Sequence, residues 1–329
     1  MNKIKVIFDT DPGVDDAMAL LFLYYAPEIE LIGITTTHGN GTIATTTRNA
    51  LYLTERFEID IPVAQGSGAP LAGAAADPPV FVHGHNGLGD IPLPQNIAKK
   101  TDSRPAYRFI IDMVRAHAQE VAIVAVGPLT TLALALRNDP EIAGLVRRLV
   151  IMAGAFGYHG HLGNVTPAAE ANILSDPHAA DETLGGSWPI TMVGLDVTQQ
   201  TLMTTEFLKT LAEEGGEAGR FIWEITRLYE AFHHSAGRAG VYVHDPSAVA
   251  YLIDPTLFAT RSGAIRVVTE GLAIGQTIQK PDGHGFRPGP WDGHPSHAIC
   301  TDVDSEKLRS LYRRIIVGGS ASRAKGSVL

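Results

Sequence analysis

The chain has 329 residues, 45% of them hydrophobic and 19% charged, with a net charge of −9. That length supports a large buried core, and the composition lies in the globular range, which excludes a disordered, collagen-like or coiled-coil chain. The acidic balance, without a long basic run, argues against nucleic acid or an anionic membrane as a partner, and the single cysteine, Cys300, excludes an internal disulfide.

Taken in order, residues 3–8 (KIKVIF) read as a buried strand and 15–25 as a helix. Residues 29–36 (IELIGITT) form the next expected strand, followed by a helix near 43–56 and a short strand at 61–64. Residues 105–118 carry Phe109, Ile110, Met113 and Val114 at helical spacing. Residues 121–126 (VAIVAV) are a fully apolar strand, and Pro128 opens a helix where its missing N–H costs nothing. Further strands are expected at 149–152 and 190–193. The helix near 220–232 keeps Phe221, Ile222, Ile225, Leu228, Tyr229 and Phe232 on one face, and 233–240 reads as a polar, glycine-bearing loop. A helix from Pro246, a strand-rich stretch at 263–278, a Gly/Pro/His-rich loop at 281–297 and a last helix at 305–317 complete the pattern. Apolar strands alternating with helices argue for an α/β fold: one domain over 1–317, with a mostly parallel, Rossmann-like open sheet flanked by helices. Residues 318–329 are expected to fray. The N-terminus is acidic by its ninth residue, and the longest apolar stretch, 17–26, is too short for a bilayer. A soluble, cytoplasmic protein is expected.

In open α/β sheets, ligands sit beyond the carboxyl ends of the strands. The polar clusters 9–16, 35–40, 126–127 and 154–172 all follow strands, so they are expected to converge. The strongest of them is Asp9-Thr10-Asp11-Pro12-Gly13-Val14-Asp15-Asp16. Four carboxylates so close repel one another by about 4 kcal/mol for each pair ~4 Å apart at an effective dielectric near 20. A helix N-terminus relieves part of this, and a bound hard cation with oxygen ligands relieves more. An EF-hand does not fit, because counting from Asp9 the sixth position is Val14 and the twelfth is Leu20. A phosphatase using Asp9 as nucleophile expects a small hydroxyl residue soon after Asp11, where Pro12-Gly13 stands.

With its DTDPGVDDAMAL opening, the chain resembles the nucleoside hydrolases of the inosine–uridine-preferring type. The resemblance continues through Thr37-His38-Gly39-Asn40, Val126-Gly127-Pro128-Leu129-Thr130, the segment from Gly163 to Asn172 (GNVTPAAEAN) and His244-Asp245-Pro246. It implies hydrolysis of ribonucleosides, purine or pyrimidine, to ribose and free base with bound Ca²⁺. By that resemblance Asp11, Asp16 and Asp245 would hold the metal together with the backbone carbonyl of Val126. Asp11 would also take the proton of the attacking water, and His244 would protonate the departing base. Asp15, Asn40, Asn164, Glu170 and Asn172 would hold the ribose hydroxyls, His83 would meet the 5′ end from a mobile loop, and Tyr229 would lean over the base. His233 and His234 would belong to a flexible lid. A homodimer or homotetramer is expected. Where the family segment carries Phe, this chain has Ala171, which leaves room beside the sugar.

Each residue also has a plainer reading. Asn40 and Asn164 follow glycines and suit turns. Glu170 suits a solvated helix charge, Asp245 before Pro246 an N-cap, His83 an exposed loop and Tyr229 the core. At the level of function, the alternative is a nucleoside- or ribose-binding protein on the same fold without turnover.

Overall fold

A computed structural model describes residues 3–326. In chain order the strands are β1 (Ile4–Thr10), β2 (Ile29–Thr36), β3 (Val63–Gln65), β4 (Val121–Ala125), β5 (Arg148–Ile151), β6 (Ile190–Met192), β7 (Leu202–Thr204), β8 (Gly240–Tyr242), β9 (Phe258–Val267), β10 (Thr277–Pro281) and β11 (Ser296–Val303). The helices are α1 (Val14–Tyr25), α2 (Ile43–Arg56), α3 (Val80–His83), α4 (Ala106–Ala116), α5 (Thr130–Asn138), α6 (Ala171–Ser175), α7 (Pro177–Leu184), α8 (Leu195–Thr198), α9 (Thr205–Glu214), α10 (Gly216–Ser235), α11 (Asp245–Ile253) and α12 (Ser305–Gly326).

The main sheet has the order β10-β9-β11-β6-β5-β4-β1-β2-β3. It is parallel from β11 to β3, and β9 then pairs antiparallel with both β11 and β10. An antiparallel pair, β7 and β8, with α9 and α10 between them in the chain, forms a separate small sheet. β1 shows why the apolar strands carry no alternation. Val6 and Phe8 enter the core on one face while Ile7 enters the core on the other, so both faces are covered. α1 is buried from Val14 to Leu23 because it lies among α10, α11 and α12. There Phe22 meets Tyr312 at 4.9 Å, and the Tyr312 hydroxyl donates to the Met18 carbonyl. On the opposite face Phe109 of α4 lies so close to β2 that a Cβ at Gly33 would fall 2.4 Å from its ring.

Strand order positions the site. After β1 the chain proceeds to β2 and β3 on one side, then returns to β4 on the other. The carboxyl ends of β1 and β4 therefore flank the topological switch point, where the two connections diverge and leave a crevice.

Three expectations need correction. β11 occupies 296–303, where the sequence shows only the end of a Gly/Pro/His-rich loop. Its short apolar core of Ala298, Ile299 and Cys300 gains strand pairing from β6 and β9, which lie far away in sequence. α10 runs to Ser235, so His233 and His234 belong to a helix rather than to a lid. The expected fray from 318 is instead a continuation of α12 to Gly326, with the Ser320 hydroxyl bonded to the Gly215 carbonyl; residues 327–329 lie outside the described residues. Among the described residues, no helix is long and apolar enough to cross a membrane.

Candidate active site

β1 ends on Asp9 and Thr10, and the turn Asp11–Gly13 leads into α1. Asp16, in the first turn of α1, is held from four directions. Its Oδ1 accepts from the Thr10 hydroxyl (2.5 Å) and the Asp11 N–H, and its Oδ2 from the Gly13 N–H and the Asn40 side chain (both 2.9 Å). Asp11 accepts the Asn40 N–H at 2.7 Å through Oδ2, while its Oδ1 is buried with no partner. Two glycines make room for this carboxylate. A Cβ at Gly39 would lie 2.0 Å from Asp11 Oδ2, and one at Gly127 would lie 2.6 Å from Asp11 Oδ1.

Asp15 points the other way. Its Oδ1 also lacks a hydrogen-bond partner, His83 Nδ1 stands 3.9 Å from it, and the Tyr229 hydroxyl faces its carboxylate. Asp245 arrives from the start of α11 with Pro246 behind it; the N-cap position is taken by His244, not by Asp245. Carboxylate oxygens of Asp15, Asp16 and Asp245 come within 4.8 Å of one another. Burial, followed by repulsion from Asp16, raises Asp15 to about 7. Burial and the neighbouring carboxylates hold Asp11 and Asp245 well above the usual range as well. Unpaired buried oxygens in an all-oxygen cluster suit a hard divalent cation. The geometry differs in one respect from the expected set of Asp11, Asp16, Asp245 and the Val126 carbonyl. The tightest trio contains Asp15, and Asp11 sits below it. The Val126 carbonyl accepts from the Asn172 side chain at 2.8 Å, which leaves its second lone pair.

Above the carboxylates opens a cavity of about 520 Å³. Asp15, Asn40, His83, Val126, Asn164, Glu170, Asn172, Tyr229, His244 and Asp245 all line it, whereas Asp11 and Asp16 form the layer beneath. Glu170 is 2% exposed, so it is no solvated charge. As N-cap of α6 it accepts the N–H groups of Asn172 and Ile173, and it also takes that of Gly154. Asn164 Oδ1 accepts the Ala171 N–H at 3.0 Å, leaving its amide NH₂ to the cavity side. His83 is not on a loose loop. It ends α3 and is buried, with Nδ1 accepting from the Val14 N–H at 3.2 Å.

The far wall is a run of rings. His83 stacks on Tyr229 (5.7 Å, 22°), Tyr229 meets His233 edge-on (4.5 Å), His233 meets Tyr242 (5.4 Å), and Tyr242 meets His244 (5.7 Å). His244 Nδ1 lies 2.8 Å from the buried Thr198 hydroxyl. Burial, reinforced by neighbouring positive groups, pulls His83 and His244 down to about 3 and His233 to about 4, so all three rings are neutral at pH 7. Phe81, Thr198, Gln199, Phe232, His233, Arg238 and Tyr242 are part of this site or support it, and sequence reasoning did not assign them there. Phe232 and His233 carried a usable signal: they fall three and four residues after Tyr229, on the same helical face.

The chain is similar to known proteins over nearly its whole length. The family model described as inosine-uridine preferring nucleoside hydrolase matches residues 6–310. Uridine nucleosidase 1 of Arabidopsis thaliana is 41% identical over 305 residues, covering 92% of this chain and 90% of the relative. The solved structure of a plant nucleoside hydrolase is similar with a TM-score of 0.90 at 36% identity, covering 95% of this chain and 99% of that one. A purine-preferring ribonucleoside hydrolase from Gardnerella vaginalis follows with 0.88 at 34%, covering 96% and 99%.

Proposed function

The chain belongs to the inosine-uridine preferring nucleoside hydrolase family and is an N-ribohydrolase, and on that premise we propose how its own residues cleave a ribonucleoside. The observation that carries the reading is the buried carboxylate cluster under the cavity, with Asp11 Oδ1 and Asp15 Oδ1 lacking protein partners. Asp11, Asp15, Asp16 and Asp245, with the Val126 carbonyl, would hold Ca²⁺. When bound, such a cation neutralises the cluster and acidifies water.

The free oxygen of Asp11 is the base for the attacking water. Asp15, the Asn164 amide and Asn172 take the ribose hydroxyls, and Glu170 holds Asn172 in place through its backbone N–H. Breaking the C–N bond develops positive charge on the sugar, and fixed carboxylates beside it stabilise that charge without reorganising. The base leaves toward the ring wall. The Thr198 hydroxyl holds His244 through Nδ1 and leaves Nε2 for the base. The resting ring is neutral, so it first takes up a proton from water. As imidazolium it then gives its Nε2 proton to the departing base and returns to the neutral ring. Ala171 lines the same cavity, and its small side chain leaves space beside the sugar.

The test is a ribonucleoside panel with released base measured by chromatography. Inosine and uridine should yield hypoxanthine and uracil. 2′-Deoxyinosine should be poorer by roughly 10⁴–10⁵-fold, because a site built to bind a hydroxyl rejects the analogue lacking it. Tight binding with no base released would instead identify a nucleoside-binding protein.

A further inference from the structure

His233 has no role in the chemistry above, yet it lines the cavity and is held in one defined state. Its Nδ1 lies 2.9 Å from the Tyr229 backbone carbonyl, one helical turn earlier in α10. A carbonyl oxygen can only accept, so Nδ1 carries the hydrogen, and in a neutral imidazole Nε2 is then a bare lone pair. Burial, with Arg238 and His234 nearby, opposes any charge on the ring. Nε2 bonds to no protein group among the described residues, and His233 lines the cavity although it is only 2% exposed, so this nitrogen is the ring atom left for a bound ligand. Tyr229, Phe232 and Tyr242 meet the ring edge-on at 4.5, 5.4 and 5.4 Å and fix its plane. Beside it Arg238 lies 4.9 Å over the Tyr242 ring and has no carboxylate partner among the described residues, so it offers only donors.

We infer that His233 is a specificity-determining residue: Nε2 accepts a hydrogen bond from a ring N–H of the leaving base, while Arg238 donates to the carbonyl beside that N–H. The inference rests on the cavity being the ribonucleoside site, with the carboxylates and Asn172 at the sugar end and the rings at the base end. Hypoxanthine and uracil both present an N–H next to a carbonyl. Adenine and cytosine present a lone pair at the matching position, which would face the lone pair of Nε2 in a buried site.

The experiment measures kcat/KM for inosine, adenosine, uridine, cytidine and p-nitrophenyl riboside with the wild type, His233→Phe and His233→Gln. The wild type should favour inosine over adenosine, and uridine over cytidine, by about 10-fold or more, since an unpaired buried acceptor is costly. Phe keeps the packing but has no acceptor, so both ratios should collapse to within about 3-fold; Gln keeps an acceptor and should retain part of them. p-Nitrophenyl riboside has no such N–H and should change little in either variant. Unchanged ratios in His233→Phe, or a wild-type preference for adenosine and cytidine, overturn the inference. Equal losses on all five substrates overturn it as well, because they assign the ring to packing. If the wild type hydrolyses none of the five, the hydrolytic reading fails separately. Calorimetric binding of inosine against adenosine by the wild type and His233→Phe then still decides the role of His233.

Discussion

At the scale of single residues, His244 and Gly39 make opposite demands. The role proposed for His244 is to donate. General-acid help is typically worth about 10²–10⁴-fold, so His244→Ala should cut inosine hydrolysis by that factor, chiefly in kcat. p-Nitrophenyl riboside, whose leaving group needs no proton, should be cleaved almost as well as before. Equal losses on both substrates in steady-state kinetics would remove the acid role. Gly39 matters for what it lacks. Its φ of +147° and the Asp11 carboxylate 2.0 Å from a would-be Cβ both exclude a side chain. Gly39→Ala should therefore cost about 1–3 kcal/mol in backbone strain alone and displace Asp11 as well. A thermal melt should show lower stability, and base release should fall further than that loss explains. Wild-type kinetics in this variant would show that Asp11 need not be held there.

At the scale of elements, the short α6 depends on one side chain. Glu170 takes the N–H groups of Asn172, Ile173 and Gly154, and so joins the start of α6 to the loop after β5. Its carboxyl is raised above its usual range by burial, with those backbone N–H groups acting in the opposite direction. Glu170→Ala loses a cap worth about 1 kcal/mol and leaves buried donors unpaired at about 1–3 kcal/mol. It should lower the melting temperature and raise KM, because Asn172 is no longer held against the Val126 carbonyl. Glu170→Gln keeps an acceptor oxygen and should recover most of the stability. A melting temperature untouched by Glu170→Ala would mean that the residue serves the ligand alone.

For the whole molecule, the carboxylate layer governs how stability depends on pH. Asp9 and Asp15 are both raised to about 7, chiefly by burial, from an ordinary value of 3.8. A raised carboxylate binds its proton more tightly in the folded state than in the unfolded one. Its stabilising effect is therefore complete below about pH 4 and lost as pH rises through about 7. Protein freed of metal should accordingly melt at progressively lower temperature from about pH 4 to pH 7. Calcium should flatten that slope and raise the melting temperature, most strongly at neutral pH where the cluster is ionised. The flattening should be incomplete, because Asp9 accepts from Thr35 below the cluster. A metal-free sample with the same melting curve and activity as the calcium-loaded one would remove the cation from the account.

Much of this molecule is written locally. The continuous apolar runs of β1 and β4 and the acidic turn after β1 are short-range features, since periodicity and turn chemistry act over a few residues. They suffice for an open α/β sheet with an acidic site at its carboxyl edge. The sequence does not by itself reveal which side chains meet. Asp245 joins Asp15 and Asp16 only because α11 packs on α1, and Asp15 rather than Asp11 completes the tightest trio because Asp11 is turned down toward Gly39 and Gly127. β11 is a strand because β6 and β9 supply its hydrogen bonds, and Glu170 is a cap because the backbone of the β5 loop reaches it. The same holds for His233, which lines the cavity with Nδ1 tied to the Tyr229 carbonyl and three rings packed against its plane. Local pattern determines which elements form and where acid accumulates; strand order and helix packing decide which atoms lie within bonding distance, because those contacts join segments far apart in the chain.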